Sequence, residues 1–337
     1  MKAFVFETNG EPSQVLNLRD LPDPAPGPGE VAVRVLLTPI HPSDLHMIRG
    51  RYGRQPQLPA SPGIEAVGIV EELGPGVTGP VPGTRVVLIN VIGTWRQRVV
   101  CPASHVLVVP HGVSDDDAAQ AMVNPVTAWM LTVGEHRLAP GELLTQTAAG
   151  STIGRLVLQL ARSEGFRTVN LVRRRAQIQE LAMGDSDVAL CTEDRNWAEQ
   201  LIEATDGGPG KAIDCVAGRV GATLAQTLAP GGRLLVFGAL SSHRQTDPTA
   251  FEMPVSAPKM IYGGTRVQGW FLFHWLDTTP LTESANAVSA VLDRLDSAAL
   301  RLPAAVRYKP SDIATALHHA DGGLRTGKPL LEIAGSF

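Results

Sequence analysis

Cysteine is scarce. Three residues, Cys101, Cys191 and Cys215, are spread through 337 and none forms a Cys-x-x-Cys pair. That excludes a disulfide framework and a four-cysteine zinc lobe, and it makes a reducing compartment the expectation. Long apolar runs are missing too. No segment approaches the roughly 18 residues of a spanning helix, and no signal-type run follows Met1-Lys2, so a cytoplasmic protein without a membrane partner is expected. Charge of one sign is also lacking: 29 Lys and Arg against 33 Asp and Glu leave a net charge of -4, with both signs mixed along the chain. Such a balance offers no footprint for nucleic acid and leaves a small molecule as the expected partner. There is no internal repeat and no low-complexity tract.

What is present is concentrated between Leu143 and Arg175. Leu143 to Thr147 reads as a short apolar strand after the turn dipeptide Pro140-Gly141. The tight turn Ala149-Gly150-Ser151-Thr152-Ile153-Gly154 leads into a helix that carries Ile153, Leu156, Val157, Leu160 and Ala161 on one face. Backbone N–H groups at that helix start would face a pyrophosphate. A second strand, Val169 to Val172, ends in Arg173-Arg174-Arg175. Dinucleotide sites that take NAD place an acid there, roughly 20 residues after the turn, to accept from the ribose 2′-hydroxyl. Guanidinium groups at that position instead suit a 2′-phosphate, so the expected cofactor is NADPH.

Alternation continues beyond this unit, with a helix expected over Ala176 to Ala182, a strand over Val188 to Cys191 and a helix over Trp197 to Ala204. A strand over Ala212 to Val216, a helix over Ala222 to Leu228 and a strand over Leu234 to Phe237 complete it. The pattern predicts an α/β fold with a doubly wound parallel sheet covered on both faces. Ligands would sit at the carboxyl ends of its strands, where Phe237-Gly238-Ala239-Leu240 falls. The N-terminal third has another texture: short strands (Ala3 to Phe6, Val31 to Leu37, Val67 to Glu71, Arg85 to Ile89) between dense Pro and Gly turns indicate a β-rich, barrel-like domain. The expected division is residues 1–123 with 271–337 for that domain and 124–270 for the dinucleotide-binding domain.

Several segments resemble the zinc-free branch of the medium-chain dehydrogenase/reductase superfamily, and within it the 2-enoyl thioester reductases of the mitochondrial type and the quinone oxidoreductases. They are His41-Pro42-Ser43-Asp44, Gln57-Leu58-Pro59, Gly93-Thr94-Trp95, Asn124-Pro125-Val126-Thr127-Ala128, Arg167 to Arg173, and Gly269 to Trp275. The resemblance spans nearly the whole chain. Zinc alcohol dehydrogenases of the superfamily place metal ligands in a Cys-His-Thr-Asp and a Gly-His-Glu segment. Those places read His41-Pro42-Ser43-Asp44 and Gly63-Ile64-Glu65 here, too few nitrogen or sulfur donors for a three-ligand catalytic zinc, so no metal is expected. His41, His46, His105 and His111 remain as scattered histidines. Reduction of an activated C=C bond needs no Lewis acid.

The resemblance implies that Tyr52, in Arg49-Gly50-Arg51-Tyr52-Gly53, donates a proton. The chemistry is consistent with that role, because hydride addition to the β-carbon of an enoyl thioester makes an enolate and a phenol with pKa about 10 is protonated at neutral pH. By the same resemblance Asn124 contacts the nicotinamide region and Gly150, Ser151, Thr152, Ile153 and Gly154 hold the pyrophosphate. Arg173, Arg174 and Arg175 take the adenosine phosphate. Phe237, Gly238, Ala239 and Leu240, with Trp270, Phe271 and Leu272, line the nicotinamide half, and Lys328 in Thr326-Gly327-Lys328-Pro329 is a further cofactor contact. The spacing of Trp270, Phe271, Phe273 and Trp275 suits a strand with both faces covered, serving core packing, an interface or an acyl site.

Two departures from the family stand out: His41 occupies a usual Asn position, and Thr152 replaces a glycine in the pyrophosphate turn. The expected activity is NADPH-dependent reduction of a 2-enoyl thioester or enone. The alternatives are an NADPH:quinone oxidoreductase and, from another class, a non-catalytic NADPH-binding regulator. A homodimer is expected, paired through the edge strand Arg266 to Trp270.

Overall fold

Six parallel strands carry the dinucleotide-type sheet, and its central ones are apolar runs that the two layers of helices cover. The computed structural model describes residues 1–181, 183–184, 187–243, 245, 247–322 and 327–334. The strands are β1 (Leu143–Gln146), β2 (Arg167–Val172), β3 (Val188–Cys191), β4 (Lys211–Asp214), β5 (Arg233–Val236) and β6 (Arg266–Gly269), in the spatial order 3-2-1-4-5-6. The chain therefore reverses direction across the sheet between β1 and β4, and the crevice beside that reversal is where open α/β sheets take ligands. Val169, Leu171, Ala212 and Leu234 from the strands, Leu201 and Leu224 from the helices and Leu228 just past a helix end are fully buried in one core.

Helix Thr152–Glu164 starts on Ser151, whose hydroxyl accepts from the Gly154 N–H at 3.1 Å, and stops at Gly165 in the left-handed region with φ 78°. The expected helix after the arginines is replaced by a single 3₁₀ turn, Arg175–Gln177, followed by turns. Ile178 donates to Arg175, Glu180 to Gln177 and Leu181 to Ile178, so the segment winds on i to i+3 bonds. That spacing brings Ile178 and Leu181 onto a small cluster with Ala149, Leu158 and Val172 without a full α-helix. Ala182 lies outside the described residues. A second correction falls after β6. Trp270 to Trp275 is not a strand, because Leu272–Thr278 is a helix and buries Leu272, Phe273, Trp275 and Leu276 together.

By contact the chain divides into two compact units, Met1–Val126 with Leu276–Phe337, and Thr127–Trp275. The first is built on a seven-stranded, largely antiparallel sheet with Glu30–Pro39 at its centre. Strand Val67–Leu73 pairs along one side of that strand and Lys328–Glu332 meets its last residues, with Leu37 opposite Val67 and Pro39 opposite Leu330. Whatever stands just past Pro39 is thus flanked by the starts of two neighbouring strands.

Candidate active site

His41 is that residue. It closes the central strand and caps helix Pro42–Ile48, with Pro42 at the first helical position and the Asp44 carboxylate accepting the His41 N–H at 2.7 Å. Glu65 reaches it from the segment before Val67, Oε2 to Nε2 at 2.6 Å, and Lys328 from the start of its strand, Nζ to Nδ1 at 2.9 Å. Lys328 also donates to the Ile40 carbonyl at 2.9 Å. The other oxygen of Glu65 accepts from the amides of Met122 and, at 2.9 Å, Val123, which opens helix Val123–Trp129, where Asn124 lies. Glu65 therefore anchors the cluster to the backbone. Lys328 is half-buried with its ammonium engaged by the protein, rather than the solvated surface lysine its composition class would suggest.

Burial sets the charges. It lowers the His41 pKa, an effect the Lys328 charge reinforces, and it raises that of Asp44 to about 7. The lysine is pulled down to about 8, again by burial, with Glu65 and Asp44 opposing. Asp44 is fully buried and its Oδ1 has no hydrogen-bond partner among the described residues. A carboxyl raised in the folded state keeps its proton where the unfolded chain has lost it, so stability falls as pH rises from about 4 to about 7. Asp44→Asn is expected to flatten that fall, by roughly 1.4 kcal/mol per pH unit at most. Urea midpoints across the interval read it, and equal slopes in variant and wild type would refute it.

Tyr52 follows on the next loop, half-buried. Its segment is pinned at both ends. Arg49 is held by Glu11 and Asp321, each at 3.0 Å, and Arg54 by Asn90 and by Asp277 at 3.6 Å. Burial raises the phenol pKa above its usual value and the Asp44 charge adds to this; a hydrogen bond from Ser43 and the Arg54 charge oppose it. The hydroxyl therefore stays protonated through neutral pH. Gly50 has its own backbone reason, a φ of 72° and a Cβ that would strike Asn9.

In the other unit the sequence-predicted residues collect at the carboxyl ends of β1, β2 and β5. Gly154 presses on the turn: a Cβ there would lie 2.6 Å from the Ala149 Cα and carbonyl oxygen. Gln146 ties strand to turn, donating to the Gly154 carbonyl at 3.1 Å and to Asn170 at 2.7 Å. Thr152 and Ile153 occupy the first helical positions, where backbone N–H groups lack intrahelical acceptors. Thr152 is only half-buried, so its side chain is accommodated at the helix start.

Of the arginines, Arg175 pairs with Asp194 at 2.9 Å, whereas Arg173 and Arg174 are exposed and meet no carboxylate among the described residues. Phe237 and Leu240 donate to the backbone of Asp214 and Cys215 at 2.8 Å, and a Cβ at Gly238 would lie 3.2 Å from the Cys215 Cβ and carbonyl oxygen. Ala239 is half-buried and Leu240 is 49% exposed. Trp270 is buried with no partner for its indole N–H among the described residues, beside Phe271, whose ring lies 5.9 Å from that of Phe273.

Sequence reasoning missed two parts. One is the Glu65–His41–Lys328 chain, and the other is a bridge across the sheet reversal. In that bridge Thr147 donates to Asp214 at 2.6 Å and accepts from Cys215 at 3.0 Å, while Asp214 also takes the Val216 and Ala217 amides. The signal for the bridge was available: a hydroxyl and an acid, each at the end of an apolar strand.

Metal coordination does not fit these residues. Both His41 nitrogens are engaged, one of them by an ammonium, and Ile64 offers no donor atom. Among the described residues no group of three His, Cys, Asp or Glu side chains is arranged to hold an ion, and no helix is long and apolar enough to cross a membrane. The chemistry of a dinucleotide suits this end of the sheet, where the close Gly154 approach and the open first-turn amides stand near two exposed guanidinium groups that meet no carboxylate among the described residues.

Together the reversed parallel sheet and the separate antiparallel sheet define a class, the medium-chain dehydrogenase/reductase fold. The model of the alcohol dehydrogenase GroES-like domain matches residues 27–111 and that of the zinc-binding dehydrogenase matches 152–287. The mitochondrial enoyl-[acyl-carrier-protein] reductase of Bos taurus is 31% identical over 98% of this chain and 88% of its own length, and that of Rattus norvegicus is 33% identical over 82% and 73%. A solved structure of a putative NADPH:quinone reductase from Bacillus thuringiensis covers 100% of this chain and 99% of its own at TM-score 0.89 and 30% identity. The chain belongs to the enoyl thioester reductase type of the medium-chain dehydrogenase/reductase superfamily.

Proposed function

We propose that this chain is an NADPH-dependent, metal-independent reductase of 2-enoyl thioesters or enones. The observation that carries the reading is Tyr52, a phenol kept protonated by burial on a loop pinned by Arg49 and Arg54. Bound NADPH supplies a hydride, which adds to the β-carbon of the substrate. Tyr52 gives its O–H proton to the α-carbon of the resulting enolate, and Ser43 steadies the phenolate until solvent returns a proton. The turn Gly150 to Gly154 binds the pyrophosphate, Arg173 to Arg175 the 2′-phosphate, and Asn124, Phe237 to Leu240, Trp270 to Leu272 and Lys328 orient the reduced ring.

Quinone reduction is the second reading, favoured by the likeness to the bacterial putative NADPH:quinone reductase. NADPH oxidation with crotonyl-CoA and with a benzoquinone separates the two. Turnover of the thioester is expected; turnover of quinone alone would move the assignment, and tight NADPH binding with neither would favour a regulator.

Homodimer formation through β6 belongs to the same proposal. β6 is a sheet edge with mostly exposed residues, and nearby in sequence Ile261 and Tyr262 are 71% and 86% exposed. A monomer in sedimentation equilibrium at micromolar concentration would exclude it. We place the protein in the cytoplasm, in keeping with three buried, unpaired cysteines, although the matched eukaryotic relatives are named as mitochondrial.

A further inference from the structure

We propose that His41 is a positioning residue, a neutral imidazole that clamps the Lys328 ammonium with its Nδ1 lone pair and is itself fixed to Glu65 through Nε2–H. The inference deepens the reading of Lys328 as a cofactor contact and rests on it only for the clamp's purpose.

Two neighbours dictate the tautomer independently. An ammonium has donors only, so Nδ1, 2.9 Å from Lys328 Nζ, must accept. An ionised carboxylate has acceptors only, so Nε2, 2.6 Å from Glu65 Oε2, must donate. An imidazolium would set its Nδ1–H against the N–H groups of Lys328. Burial and the lysine charge both disfavour that form.

The chain of bonds then runs from backbone to backbone. The Met122 and Val123 amides hold Glu65, Glu65 holds His41, and His41 together with the Ile40 carbonyl holds Lys328. Two of the three ammonium N–H bonds are spent within the protein, and no third acceptor occurs among the described residues. The remaining N–H is left with a fixed direction for an oxygen of a ligand, such as a sugar hydroxyl. The charged groups facing Lys328 are Glu65, from the segment before strand Val67–Leu73, and Asp44, from helix Pro42–Ile48. Asn at this place reproduces the Nδ1 acceptor with its Oδ1 but is too short for Glu65, and Leu removes both ties.

Histidine ¹⁵N spectra of the cofactor-free wild type test the clamp directly. The Nε2–H tautomer is expected throughout pH 6–8.5, whereas an Nδ1–H tautomer or an imidazolium at neutral pH would overturn it. Lysine ¹³Cε titration gives the second arm. His41→Leu should lower the Lys328 midpoint by about one unit, a tenfold change, and His41→Asn should leave it within about half a unit. An unmoved midpoint in a folded His41→Leu protein would also overturn the clamp, and if that variant does not fold the wild-type spectrum still decides. Lys328→Met addresses the cofactor reading instead. Unchanged NADPH affinity there would remove Lys328 from the cofactor site while leaving the clamp intact.

Discussion

Tyr52→Phe should cost roughly 10²- to 10⁴-fold in enoyl-thioester reduction, the range a positioned general acid contributes. NADPH affinity should be unchanged, because Tyr52 is assigned to the substrate and not to the dinucleotide. The phenol is a weak acid in this setting. Burial and the Asp44 charge hold it protonated, so the donor is fully loaded at every pH from 6 to 9 and contributes no limb of its own to the rate profile across that range. Weak acidity is no obstacle, because an enolate carbon is a far stronger base than phenolate. The Ser43 hydrogen bond and the Arg54 charge favour the ionised form, and so lower the cost of the transfer at the moment it occurs. Ser43→Ala should therefore slow the reaction by less than Tyr52→Phe does. Single-turnover oxidation of NADPH with crotonyl-CoA, followed at 340 nm, reads both variants. A Tyr52→Phe enzyme that keeps the full rate would remove the proton donor from the scheme. Deuterium at the α-carbon, introduced from heavy water, should then be scrambled in stereochemistry in the variant and single-sided in the wild type.

The dinucleotide unit was legible because its information is local. Strand, turn and helix lie within Leu143 to Glu164, and each is marked by period, by a turn dipeptide or by a capping Ser151. The parallel, doubly wound character of the sheet follows from the same alternation, whereas its strand order came from the structure. Misreadings arose where one apolar spacing satisfies two periods. Ile178 and Leu181 are three apart, which suits an α-helix and equally the i to i+3 turns that form. Phe273 and Leu276 are likewise three apart and lie on one side of helix Leu272–Thr278, although Phe271 and Phe273 also satisfy alternation. The buried charges were illegible for a different reason. His41 and Glu65 are 24 residues apart and His41 and Lys328 are 287 apart, and their meeting depends on two strands pairing along one central strand. No periodicity in a sequence encodes which side chains gather past a strand's end. Tyr52 could be named from the motif around it and its protonation at neutral pH from the ordinary phenol pKa, but the further upward shift could not, since Asp44 and Ser43 act on it only once helix Pro42–Ile48 is formed.

Replacing Arg173 and Arg174 together with Ala should raise the NADPH dissociation constant by about 10- to 100-fold and leave that for NADH nearly unchanged. A hydrogen bond to a charged group contributes more than a neutral one, but both side chains are exposed, so solvent screening brings the effect below the sum of two buried contacts. Arg175 should matter less, because Asp194 already engages it at 2.9 Å and a phosphate would have to compete with that carboxylate. Removing the competitor gives the opposite sign. Asp194→Asn should free Arg175 and tighten NADPH binding, most visibly at low salt, where screening is weakest. Fluorescence titration of both cofactors at two ionic strengths measures all of this. Equal loss of NADPH and NADH affinity in the double variant would mean the arginines act on the adenosine or the fold and not on the 2′-phosphate. A salt-independent NADPH preference would place the discriminating charge elsewhere along the carboxyl ends of the strands.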